Sequence, residues 1–245
     1  MSKINVISLR PRSLLHWTGL PVKGFLALVA HVAALLPAPG RGRPWALLLD
    51  NRVLLAAIAW RTNLTHRQLA DLFGIGVATV HRVISHLAPL IAGLLEPPDG
   101  QRSDLWVVDG TLIPVEDQTV TACSKNYRRS VNVQFAFRVS DRRVVAVGDA
   151  WPGNRNDIVV FRATMAEQLA GHRLTIGDGA YRSAPGVLTS RNKSKPFARR
   201  RARAEHGIAR LKGYRALRQH RRRGAAINDT THAVAVLHNL KIDNA

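Results

Sequence analysis

The sequence predicts an all-α region followed by an α/β region. Apolar residues recur at helical spacing from about residue 21 to about residue 95. A polar stretch with Pro and Gly occupies residues 96–104, and short apolar runs typical of strands follow it. With 245 residues, 46% of them hydrophobic, the chain can build a substantial core, which excludes disorder of the whole chain. We therefore predict four parts, namely a tail over 1–20, a helical domain over 21–95, a linker over 96–104 and a second domain over 105–241.

Within these parts the spacing of apolar residues predicts the individual elements. In the first domain it predicts helices over 21–36 and 44–61 and further helices from residues 65 and 77. In the second domain it predicts short strands over 105–109 and 174–178, a hairpin of strands over 131–139 and 144–148, and helices over 157–169, 199–217 and 229–240. Strands mixed with helices in this order predict an α/β fold.

The charge of the chain predicts a polyanionic partner. The formal net charge is +20, and residues 179–245 alone carry 16 Lys and Arg against three acids. Nucleic acid is the first candidate, because the basic segment lacks the continuous apolar face needed to enter a membrane surface. The single cysteine excludes an internal disulfide, and no signal peptide precedes the first domain, so we expect an intracellular protein.

Residues 65–86 have the pattern of a helix-turn-helix. Thr65 and Gln68 have the spacing of a capping box, and Gly74 stands where the chain must turn. An ordinary helical hairpin would share this pattern and stays an open alternative. If the unit binds DNA, the expected contacts come from outward side chains of its two helices, namely Arg67, Thr79, His81 and Arg82.

A second candidate DNA-binding element lies in the predicted loop between the first two helices. Arg41-Gly-Arg-Pro44 is similar to the core of an AT-hook, in which extended arginines enter a narrow minor groove. A plain basic loop explains the same residues, and we favour that interpretation.

Three acids carry the chemical hypothesis. Asp109 and Asp178 each follow a short apolar run and precede Gly, which also fits an ordinary turn. Glu205 is the only acid among 15 basic residues between positions 179 and 228, and it shares a helix face with Arg201 and Lys212. An ion pair would explain Glu205 alone. Together the three carboxylates are what a phosphoryl-transfer site with two Mg²⁺ (or Mn²⁺) ions requires.

Four motifs resemble the DDE-class transposases of bacterial insertion sequences, in the insertion-sequence-five and Harbinger-like superfamily. They are Val-Val-Asp-Gly-Thr-Leu-Ile-Pro (107–114), Trp-Pro-Gly-Asn-Arg-Asn-Asp (151–157), Gly-Asp-Gly-Ala-Tyr-Arg (177–182) and Arg-Ala-Arg-Ala-Glu-His-Gly-Ile-Ala-Arg-Leu-Lys (201–212). The resemblance implies an RNase H-like core in which Asp109, Asp178 and Glu205 bind two Mg²⁺. It also implies DNA cleavage and strand transfer at terminal inverted repeats, a homo-oligomer on double-stranded DNA, and a cytoplasmic, nucleoid-associated location.

Basic residues near these acids are expected to contact DNA phosphates. They are Arg201, Lys212, Arg221, Arg222 and Arg223. The sequence departs from the family pattern at Ala198, where an aromatic residue is usual, and in the short interval of 27 residues between Asp178 and Glu205. The alternative is therefore a catalytically inactive DNA-binding protein derived from a decayed transposase.

Overall fold

The computed structural model describes residues 4, 9–37, 44–96, 104–123, 129–172, 174–189 and 194–244. The Arg-Gly-Arg stretch at 41–43, which is similar to an AT-hook, lies outside these residues. Most of the predicted linker, residues 97–103, lies outside them as well.

The regular structure of the N-terminal region is entirely helical in its described residues. Its helices are α1 (Pro11–Thr18), α2 (Val22–Leu35), α3 (Leu49–Thr62), α4 (His66–Phe73) and α5 (Val77–Ala92). We predicted a tail without regular structure before residue 21, and α1 corrects that. Pro11 suits a first helical turn, Gly19 ends the helix at φ +80°, and Leu14 is buried. α1 has only eight residues, which are too few for a helical spacing of apolar residues to be recognised in the sequence.

A mixed sheet follows the helical region. Its described strands are β1 (Trp106–Pro114), β2 (Ala122–Cys123), β3 (Arg129–Arg138), β4 (Val144–Val147), β5 (Trp151–Pro152), β6 (Thr175–Ile176) and β7 (Val187–Leu188). The order is β2-β3-β1-β6-β7, with β4 and β5 also paired to β3. β1 is antiparallel to β3 and parallel to β6, and the predicted hairpin is confirmed as β3 and β4.

Helices cover both faces of the sheet. They are α6 (Asp157–Thr164), α7 (Lys195–Leu211) and α8 (Ala226–Asp243). Because side chains alternate along a strand, Val107 faces a cluster with α7 and α8, whereas Trp106 and Val108 face a cluster with α6. The predicted class, a mixed α/β sheet behind an all-α helix-turn-helix region, is confirmed.

The helical region and the sheet share one hydrophobic core. A single cluster of buried side chains runs from Leu14 in α1 through α3 and α5 to Phe135 and Phe137 in β3. α8 joins the two regions, because it packs on α2 and α5 on one side and on β4 on the other. Within the described residues no single helix is long and apolar enough to cross a membrane, although α1 with α2 and α4 with α5 reach those limits as sharply bent pairs.

Candidate active site and DNA-binding surface

Asp109 lies in β1, and Asp178 follows the neighbouring parallel strand β6 by two residues. In the register of β1 and β6, Trp106 pairs with Thr175 and Val107 with Ile176, so Asp109 is level with Asp178. We expected both acids at strand ends, and Asp109 departs from this because it lies inside β1. β3 pairs with β1 as far as Pro114, so the strand continues past the acid. Asp178 does follow its short strand, as expected.

The environment of Asp109 disfavours its charged form. Burial, followed by the negative charge of Asp178, raises the pKa of the Asp109 carboxyl from 3.8 to about 6. The backbone N–H of Gly110 donates to Asp109 Oδ1 at 2.9 Å and opposes this shift. The positive charge of Arg201 also lowers the pKa of Asp109, but it does not offset burial and the charge of Asp178.

Arg201 joins the second acid to the third. On α7, its Nη2 lies 2.8 Å from Glu205 Oε1, and its Nη1 lies 4.0 Å from Asp178 Oδ2. α7 can sit this close to the sheet because Gly207 lies against Phe137, where a Cβ would come within 2.5 Å of the ring. Among the described residues, no three His, Cys, Asp or Glu side chains are grouped closely enough to hold a metal ion. The guanidinium occupies the space between Asp178 and Glu205 instead.

Lys212 lies at the other end of α7. Its Nζ donates to the backbone oxygen of Leu112 in β1 at 3.3 Å, and burial lowers the pKa of the amine. The side chain therefore ties α7 to the strand that carries Asp109. Contact between Lys212 and a DNA phosphate stays a prediction.

A buried polar network lies beneath the acids, on the α6 face of the sheet. Asn132 and Gln134 are buried in β3, and each donates a side-chain N–H to Asp157 Oδ1, at 2.7 and 3.1 Å. Asn156 occupies the N-cap position of α6, and the Asp157 carboxylate points to the sheet. The sequence signal for this network is a pair of amides at alternate positions of a mostly apolar strand, and we did not predict the network from it.

The helix-turn-helix has the predicted local structure. Thr65 and Gln68 form both hydrogen bonds of the capping box, and Gly74 turns the chain at φ +64°. The axes of α4 and α5 differ by 102°, within the range of such motifs. The side chains of Arg67, His81 and Arg82 are exposed, and Arg82 donates to the hydroxyl of the half-buried Thr79 at 3.3 Å.

The arginines at 221–223 meet the helix-turn-helix across a cleft of about 880 Å³. Arg221 and Arg223 are exposed at this cleft, opposite Arg67 and His81, and its described lining contains no carboxylate. Arg222 is half-buried, and its Nη2 donates to Ser85 of α5 at 3.2 Å. Arg222 therefore attaches the loop to α5, whereas Arg221 and Arg223 are exposed, with Arg221 Nε 3.8 Å from Glu116 Oε1. Contact of Arg221 and Arg223 with DNA stays a prediction.

Comparisons with known proteins agree with this arrangement. The family model described as "Helix-turn-helix of DDE superfamily endonuclease" matches residues 45–97. The family model described as "Transposase DDE domain" matches residues 100–191. The second match includes Asp109 and Asp178 and ends before Glu205. The fold and these two matches define a transposase of the DDE class.

A relative specifies the family further. The chain is 39% identical over 216 residues to a protein of Streptomyces albus G, a match that covers 82% of this chain and 84% of the relative. The name of that protein assigns it to insertion sequence element IS112 as a transposase. This chain belongs to the DDE-class insertion-sequence transposases, and the resemblance stated from the motifs is confirmed.

Proposed function

We propose that this chain is an active transposase that cleaves DNA strands and transfers them at terminal inverted repeats, with Asp109, Asp178 and Glu205 as its catalytic carboxylates. The observation that carries the proposal is that Asp178, just after β6, is level with Asp109 in the neighbouring β1, with Arg201 linking Asp178 to Glu205. The helix-turn-helix and the arginines at 221 and 223 would hold the DNA ends, with the chain acting as a homo-oligomer.

The donor atoms of the three carboxylates suit divalent cations such as Mg²⁺ or Mn²⁺, although in the described residues the side chains would have to move closer together to hold one. All the donors are carboxylate oxygens, which these ions prefer. The raised pKa of Asp109 indicates a place where added positive charge would be favourable, and the guanidinium of Arg201 already lies between Asp178 and Glu205. Two such ions, when bound, supply activation of the attacking hydroxyl and stabilisation of the leaving oxygen.

The protein residues would bind and orient the DNA around this site. The Glu205 side chain is about half exposed on α7, so it has room to change rotamer, and in the active state it would turn toward Asp109. Arg201 would then exchange its partner Glu205 for a DNA phosphate, which keeps the guanidinium paired. Lys212 holds α7 against β1, so this exchange would leave the helix in place.

Nicking of supercoiled DNA and cleavage of a terminal-repeat substrate test the proposal. With Mg²⁺ the unmodified protein should cleave, and Asp109→Ala and Glu205→Gln should lose cleavage while retaining DNA binding. Glu167→Gln is the matched control, because this exposed acid follows α6 and lies outside the proposed site. Equal nicking by all variants would remove the active-site assignment.

A second candidate is an inactive DNA-binding protein derived from a transposase. The observation in its favour is the Arg201–Glu205 ion pair, combined with the short interval before Glu205. Binding of terminal-repeat DNA without cleavage under any divalent metal would favour this candidate.

A further inference from the structure

We propose that Asp157, Gln134 and Tyr181 form a chain of positioning residues that sets the separation between Asp109 and Asp178. The inference rests on the proposed function, since it concerns the same pair of acids. None of the three residues is assigned a contact with DNA or metal. They act through the backbone segments that carry the acids.

In the first step, Gln134 and Asp157 contact β1 at Gly110, the residue after Asp109. Gln134 pairs with Gly110 in the antiparallel register, so the two residues share a face of the sheet, next to Asp109 in the chain. A Cβ on Gly110 would lie 2.5 Å from both Gln134 Nε2 and Asp157 Oδ1. The missing side chain therefore lets the amide and the carboxylate approach the β1 backbone beside Asp109.

The second step is the orientation of the Gln134 amide. Its Nε2 donates to Asp157 Oδ1 at 3.1 Å and to Asn132 Oδ1 at 3.0 Å, and Asn132 Nδ2 donates to the same Asp157 oxygen at 2.7 Å. The N–H₂ end of Gln134 is thus held toward Asp157, which leaves its carbonyl oxygen directed away. Gln134 is fully buried, so a rotated amide would lose these partners without gaining water.

The third step connects this amide to Asp178. The hydroxyl of Tyr181 donates to Gln134 Oε1, and the Tyr181 ring packs edge-on against Phe161 of α6, with centroids 5.6 Å apart. Tyr181 ends the short 3-10 helix Gly179–Tyr181, which Asp178 begins by accepting from the Ala180 N–H at 2.8 Å. Tyr181 is fully buried, with its hydroxyl bound to Gln134 and its backbone in the 3-10 helix that Asp178 begins. These contacts fix the turn that carries Asp178.

The network thereby joins three separate segments. α6 supplies Asp157, β3 supplies Gln134, and the turn after β6 supplies Tyr181, while Asp109 and Asp178 lie on β1 and on that turn. Among the described residues, β6 pairs with β1 through two residues and with β7 through two, so the backbone pairing that holds the second acid is short. Side-chain hydrogen bonds across β3 supply the additional restraint.

The test measures Mn²⁺ binding to the purified full chain, without DNA, by calorimetry and by electron paramagnetic resonance. Tyr181→Phe and Asp157→Ala should weaken Mn²⁺ binding about 10- to 100-fold, the usual effect of removing residues that orient metal-binding side chains. Asp157→Asn should stay close to the unmodified protein, because its Oδ1 still accepts from both amides. DNA binding without metal should be unchanged in all three variants.

Tyr214→Phe is the matched control for Tyr181→Phe. The Tyr214 hydroxyl is buried without a hydrogen-bond partner among the described residues, and it lies outside the network. Its removal should leave Mn²⁺ affinity unchanged. If Tyr181→Phe fails to fold, the comparison of Asp157→Ala with Asp157→Asn carries the test.

The outcomes separate this inference from the proposed function. Loss of Mn²⁺ binding in Asp109→Ala together with unchanged binding in Tyr181→Phe and Asp157→Ala would overturn the positioning chain alone. Equal weakening by Asp157→Asn and Asp157→Ala would also overturn it, because the charge of Asp157 would then be responsible. No Mn²⁺ binding by the unmodified protein would overturn the proposed function as well.

Discussion

Replacing Asp109 with asparagine should stabilise the metal-free protein at neutral pH. The pKa of this carboxyl rises from 3.8 to about 6 on folding, because burial and the charge of Asp178 disfavour its ionised form. A pKa shift of about two units, at about 1.4 kcal/mol per unit, lowers the free energy of unfolding by about 3 kcal/mol at a pH where Asp109 is ionised in both the folded and the unfolded state. Asparagine carries no charge and can still accept from the Gly110 N–H.

The pH dependence gives the prediction its sign. Between pH 3.8 and about 6 the folded state binds more protons than the unfolded state, so the free energy of unfolding falls as the pH rises through this window. The free energy of unfolding of Asp109→Asn should therefore exceed that of the unmodified protein by almost nothing at pH 4. This difference should grow up to about pH 6 and stay constant above it. Added Mg²⁺ should reverse the order at neutral pH, because binding stabilises only a protein that keeps its carboxylates.

Urea unfolding in the presence of a chelator, repeated from pH 4 to pH 8, measures the difference. Asp117→Asn is the control of opposite sign. Hydrogen bonds from the backbone N–H groups of Gly224 and Thr119 lower the pKa of Asp117 to about 2, so its ionised form is the favoured one and the variant should lose stability at neutral pH. The electrostatic reasoning would be refuted if Asp109→Asn raised the free energy of unfolding as much at pH 4 as at pH 8, or if it did not raise it at pH 8.

Three further predictions concern the helices and the loop around the site. Thr65→Ala should lower the free energy of unfolding by about 1 kcal/mol through loss of the capping box, measured by urea unfolding, and an unchanged value would mean that the cap is dispensable. Gly207→Ala should destabilise the protein by about 1–3 kcal/mol and reduce DNA nicking, because the new methyl group would displace α7 from the Phe137 ring; a variant as stable and active as the parent would contradict this contact. Arg221→Ala should weaken DNA binding and reduce by about one the slope of log affinity against log salt concentration, measured by fluorescence anisotropy, whereas an unchanged slope would exclude a phosphate contact.

Local features of the chain were predictable because local interactions produce them. The capping box at Thr65 and the turn at Gly74 depend on residues within a few positions, so their pattern identified the helix-turn-helix before its structure was known. The β3–β4 hairpin follows from alternating apolar residues and a short turn. The motifs around Asp109, Asp178 and Glu205 likewise indicated the family that the comparisons confirm.

Contacts between residues far apart in the chain could not be predicted from the sequence. Pairing with β3 extends β1 past Asp109, and packing against the core orders α1 where a tail was expected. The amides of Asn132 and Gln134 read as polar interruptions of a strand until the fold brings Asp157 and Tyr181 to them. By itself the sequence determined the family, the class of fold and the acids worth testing. Only the tertiary structure decided which charges meet and what supports them, because burial and contacts between residues far apart in the chain exist only once the sheet has formed.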